Sequence, residues 1–162
     1  MDHSNILKLV RTTEEQNHLI SLIETLLENN FKERALANGE FGNSNFMKNA
    51  SDTIISEQTK LNIVENKKEK EKFLNSLLDL VRNLNTLKIS IAVRPNEELV
   101  KALDKWTGQN LSGKVIFDLN FDPDILGGAI IINKKGDYAN YSLLKKIDAF
   151  FLNHKQDILS LL

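Results

Sequence analysis

The imidazoles of His3, His18 and His154 could hold a metal or move a proton near neutral pH, so they are the first residues to test for chemistry. They stand far apart in sequence. Only His154 and Asp157 have an i,i+3 spacing that could put two ligands on one helical face, and such a pair falls short of the three or four ligands zinc needs. All three histidines are best read as solvated surface residues. Asp118, Asp122 and Asp124 offer oxygen ligands for a hard cation, but without the spacing or the glycine of an EF-hand loop, and Asp122 reads better as a turn cap. The glycines form neither G-x-G-x-x-G nor a G-K-[ST] phosphate loop. The serines lack a G-x-S-x-G elbow, and no histidine sits in a triad-like context. The expectation is a chain with no catalytic residue, no cofactor and no metal.

Composition narrows the remaining classes. A chain of 162 residues fits one domain, or a small domain with a helical extension, and is long enough to bury a substantial core. With 21 basic and 22 acidic residues the net charge is -1, which supplies no field to attract nucleic acid or an anionic lipid surface. The absence of cysteine removes disulfides and thiolate chemistry and suits a reducing compartment. No run approaches the ~20 apolar residues of a membrane span, and the first fifteen residues lack the apolar core of a signal peptide. A soluble protein is expected, and if it works at a membrane something else holds it there.

Periodicity then places the elements. Ser4 to about Ala37 has no proline or glycine, and Ile20, Ile23, Leu27 and Phe31 belong to an apolar stripe that becomes dense after His18, so one long helix is expected. Asn38 to Asn45 breaks it with turn residues. From about Ala50 to Asn85 a second helical stretch, continuous or interrupted, carries Leu74, Leu77, Val81 and Leu84, and its mixed charge run Glu65 to Lys72 reads as a solvated face. Beyond it, Ile89, Ile91 and Val93 alternate with polar residues as in a half-buried strand. Asn96 caps a helix whose inner face is expected to hold Leu99, Ala102, Leu103 and Trp106. Lys114 to Phe121 alternates again. Asp122-Pro123 starts a turn, Gly127-Gly128 gives backbone freedom before the strand Ala129 to Ile132, and Lys134 to Asp137 closes a hairpin. Asn140 or Ser142 can cap a last helix with Leu143, Leu144, Ile147, Phe150 and Phe151 at helical spacing. The fold class is α+β: long amino-terminal helices over 1–86, as a hairpin or extended, and a β-α-β-β-α domain over 87–162.

The stretch from Ile89 to Phe151, with D-P-D-I-L-G-G at Asp122 to Gly128, resembles the carboxyl-terminal part of the delta subunit of F-type ATP synthase, called OSCP in mitochondria. Strand, helix ending at Thr107-Gly108, strand and D-P-x-x-L-G-G come in that family's order over about residues 87 to 152. Asp122, Pro123, Gly127, Gly128 and Ser142 match its motifs, and Leu126 belongs to the apolar pair that the family's D-P-x-L-I-G-G writes as Leu-Ile. After the hairpin the family writes D-G-S followed by an arginine, where this chain has Asn140-Tyr141-Ser142 and then Leu144. The general plan of short strands and a helix is also similar to the E subunit of vacuolar and archaeal rotary ATPases, and an unrelated helical adaptor stays open.

What the resemblance implies is a non-catalytic stator subunit at the cytoplasmic face of the plasma membrane, or its organellar equivalent, tying a catalytic-head alpha subunit to a b-type stalk subunit. The family sets a compact bundle of six helices ahead of its strands, whereas two long helices are expected here. A two-helix pair leaves outer apolar positions uncovered, so Ile20, Ile23, Leu27, Phe31, Leu74, Leu77, Val81 and Leu84 are the candidate partner-binding residues.

Overall fold

The computed structural model describes residues 3–32, 45–133 and 135–153, with backbone alone for 29–32, 150 and 151. The chain divides into two compact units, 1–85 with 111–116 and 86–110 with 117–162, so the boundary expected near residue 86 is crossed by one short return.

The first unit departs from two long helices. Among its described residues it holds α1 (Ser4–Leu7), α2 (Thr13–Lys32), α3 (Asn45–Lys60) and α4 (Lys67–Arg82). A capping box makes the break between α1 and α2. The Thr12 hydroxyl accepts from the Glu15 amide at 3.2 Å, while the Glu15 carboxylate accepts from the amides of Thr12 at 3.2 Å and Arg11 at 2.7 Å. This reciprocal pattern satisfies amides that a helix start leaves orphaned, so α2 begins afresh without proline or glycine. The second expected stretch divides as well. Asn62 takes the left-handed conformation at φ 58°, the Ile63 amide donates to the Gln58 carbonyl at 3.1 Å and the Asn62 amide to Thr59 at 3.0 Å, which together close α3 as a Schellman motif. Asn66 then caps α4 through the Glu69 amide, so the charge run becomes the first turns of a new helix.

Shorter helices can fold back on one another, and these do. Leu19, Leu22, Ile23 and Leu26 of α2, Ala50 and Ile54 of α3, and Phe73, Leu74, Leu77, Leu78 and Val81 of α4 enter one buried cluster, with Ile6, Val10 and Ile116. At ~1.5–3 kcal/mol for each large apolar side chain fully buried, this cluster is the main source of the unit's stability. Polar clasps tie helices that are distant in sequence. The Gln16 side-chain amide donates to the Val81 carbonyl at 2.6 Å, Arg82 pairs with Glu24 at 2.7 Å, and the Asn5 side-chain amide donates to the Glu57 carboxylate at 3.2 Å. His3 is not the surface residue its sequence context suggests. It is 3% exposed, its ring lies 4.7 Å from that of Phe73, and its Nε2 is 3.2 Å from the Ser76 hydroxyl.

The second unit builds on a four-stranded mixed sheet of order β2-β1-β3-β4, from β1 (Asn85–Ile91), β2 (Val115–Phe121), β3 (Ala129–Ile132) and β4 (Tyr138–Asn140), with helices α5 (Glu97–Asn110) and α6 (Leu143–Asn153). β3 runs antiparallel to both β1 and β4, which leaves β1 and β2 as the parallel pair that a crossover helix such as α5 requires. In register, Ile89 faces Ile131 and Ile91 faces Ala129 on one side of the sheet, while Ile130 and Ile132 face Ser90 and Lys88 on the other. β1 starts and stops earlier than expected, and Val93 lies beyond it, exposed. α5 is capped by Asn96, whose side chain accepts from the Leu99 amide at 2.8 Å. Its buried face differs from expectation. Val100 and Thr107 point inward with Leu103 half-buried between them, whereas Ala102 is exposed and Trp106 is 55% exposed.

Leu77 has no exposed surface. Leu77→Ala should therefore lower the unfolding free energy of the isolated chain by ~2–5 kcal/mol in chemical denaturation. A loss under about 0.5 kcal/mol, the range of ordinary surface substitutions, would show that the position waits for a partner instead.

Candidate functional site

Residues 122–128 join the end of β2 to the start of β3 and at the same time hold the first turn of α6. The Asp122 amide donates to the Ile91 carbonyl at 2.9 Å, which fixes the loop to the end of β1. The Asp122 carboxylate accepts from the Asp124 amide at 3.0 Å, the turn-capping role its place before Pro123 suggests. Ile125 then turns in and is buried, while Leu126 points out and is exposed. Gly127 and Gly128 both have left-handed backbones, at φ 64° and 83°. Such a pair lets the chain reverse within two residues, and only glycine adopts it without steric cost.

The reversal aims carbonyls at two targets. The Leu126 and Gly127 carbonyls accept from the Leu143 amide at 2.9 and 3.0 Å, satisfying a donor that the start of α6 would otherwise leave orphaned. The Gly128 carbonyl accepts from Ala92 at 3.3 Å. A Cβ at Gly128 would collide with the Tyr141 carbonyl oxygen, whereas one at Gly127 would meet Leu143 at 3.4 Å, near ordinary contact distance. Beyond β4, the Asn140 side chain accepts from the Ser142 amide at 2.8 Å, and the buried Ser142 hydroxyl accepts from the Lys145 amide at 3.4 Å. Both residues expected to start α6 take part: Asn140 shapes the approach and Ser142 is the cap. Asp122, Leu126, Gly127, Gly128 and Ser142 thus meet in one turn system. Pro123 lies exposed on its outer side.

The expected partner-binding stripe lies elsewhere and is closed. Ile23, Leu74, Leu77 and Val81 have no exposed surface, Leu84 is buried, and Ile20 and Leu27 are partly buried against the same cluster. Four shorter helices supply the third surface that two long ones would lack, which corrects their reading as an open face. The Phe31 side chain falls outside the described residues, as do those of Phe150 and Phe151 and all of His154 and Asp157.

Exposed apolar residues also gather on α6 and the turn that feeds it. Leu126, Tyr141, Leu143 and Leu144 are each about half exposed or more, and Leu152 is 75% exposed. Lys145, Lys146 and Asp148 are exposed among them. The helical spacing of Leu143, Leu144 and Ile147 carried the signal for this helix, but Leu143 and Leu144 are only half covered and Ile147 is the better buried of the three.

Among the described residues no three His, Asp or Glu side chains gather as metal ligands would. An open groove of about 560 Å³ runs beside α4, lined by Lys72, Asn75, Ser76, Asp79, Leu80 and Asn83. Ser76 there contacts His3, but it sits in the middle of α4, where the neighbouring amides are spent on helical hydrogen bonds and cannot form an oxyanion hole. No protein-family profile matches this sequence, and no curated protein matches it.

The turn geometry ranks the glycines. Gly128→Ala combines left-handed strain of ~1 kcal/mol with a backbone collision, and should cost well over the ~1 kcal/mol expected of Gly136→Ala, which is left-handed but open. Gly108→Ala, in open space on α5 without positive φ, should be neutral or stabilising by about 0.5–1 kcal/mol. Thermal and chemical melts of the three variants test this order, and equal effects at 128 and 136 would remove the role given to the Tyr141 contact. Ser142→Ala should cost ~1 kcal/mol through loss of the cap on α6.

Proposed function

We propose that this protein is a non-catalytic stator subunit of a rotary ATP synthase, one that ties the catalytic head to a b-type stalk subunit. The observation that carries this reading is the turn from Asp122 to Gly128. Its residues follow the D-P-x-L-I-G-G of the delta and OSCP family, with Ile125-Leu126 where the family has Leu-Ile, and several have a clear physical role. Asp122 caps the turn, Leu126 faces outward, and Gly127 and Gly128 bend the chain so that it holds α6. The order of parts supports it too. A compact helical unit followed by a mixed-sheet unit is the plan the resemblance implies, with four helices among the described residues where the family sets six.

A stator must hold its partners against torque without moving bonds, so it needs rigid units and lasting apolar contact. In this reading the side of α6 that carries the exposed Leu144 and Leu152 receives a stalk helix, and the helical unit meets the alpha subunit of the head. No described helix is long and apolar enough to cross a membrane, so attachment to the membrane runs through the other subunits. The site would lie at the cytoplasmic face of the plasma membrane, or the equivalent face of an organelle.

The test is affinity purification of the tagged full-length chain from gently solubilised membranes of the cells that express it. Recovery of b and alpha subunits is the expected result. Vacuolar-type stalk components would point to an E-like subunit, and a partner outside rotary ATPases would make the chain an unrelated adaptor; either outcome overturns the proposal. Leu144→Glu, on the exposed face, should leave the melting temperature within about 2 °C of the parent, as surface changes do, yet reduce recovery of the b subunit at least about tenfold, the equivalent of ~1.4 kcal/mol.

A further inference from the structure

We draw no further inference here: the strongest candidate outside the site already described, the surface patch on α5 where Trp106 stands exposed beside the exposed Ala102 and Lys105, carries nothing because nothing in the structure shows what covers it.

Discussion

The approach of Gly128 to the Tyr141 carbonyl is the constraint on which the second unit turns. No side chain fits between the two backbones, so β3 can begin directly beneath the segment that leads into α6. Several bonds depend on that closeness. The Tyr141 amide reaches the Ala129 carbonyl at 2.8 Å, and the Leu143 amide reaches Leu126 and Gly127. A larger residue at 128 would push these groups apart and leave a helix start and a sheet end unsatisfied together, which is why one atom's space governs three elements. The left-handed φ of both glycines then serves a close approach as well as a turn.

The helical unit depends on a different constraint: each of its helices is cut to a length that lets it return across the others. The capping box at Thr12 to Glu15 and the left-handed Asn62 make those cuts, and each needs only local chemistry. Without them the apolar stripes would run on past one another and leave their ends in water. With them, α2 packs its Leu19, Leu22, Ile23 and Leu26 face into the cluster that also takes Phe73 and Leu77. Local capping energies of ~1 kcal/mol are small beside the burial they direct, so caps choose the topology and the apolar cluster stabilises it.

This explains what could be read from the residues and what could not. Three of the four strands, the hairpin, the cap at Asn96, the turn at Asp122 and the cap at Ser142 were legible because alternation, glycine and short polar side chains act over two to four positions. Thr12-x-x-Glu15 is an equally local signal that the sequence carries, but the expectation of one long helix rested on the apolar stripe and the lack of proline and glycine alone. The inward faces were harder. On α5, Trp106 is the larger apolar residue, but Thr107 is the one buried, its hydroxyl satisfied by the carbonyls of Leu103 and Asp104 at 3.1 Å. Spacing gives a helix its stripe, and only the packing of neighbours decides how far that stripe is rotated. The same limit applies to Ile23 and Leu77, whose spacing fitted a partner-facing helix pair and a closed bundle equally well.

A closed helical core beside an apolar helix left in solvent sets the terms on which this protein can bind anything. Even if a partner covered the exposed parts of Leu126, Leu143, Leu144 and Leu152 together, each would contribute about half of the ~1.5–3 kcal/mol that full burial of such a side chain yields, or roughly 3–6 kcal/mol in all. Association itself costs an estimated ~4–15 kcal/mol in lost freedom of motion. The α6 face alone is therefore too small for a permanent attachment. A second attachment through the other unit changes the balance, because the first contact then holds the second at an effective concentration near millimolar and avidity can exceed either affinity by ~10²–10⁴. A linker bearing steady load needs that two-point geometry. Within the proposed role, then, each unit can hold its own partner weakly while the chain as a whole lets go of neither.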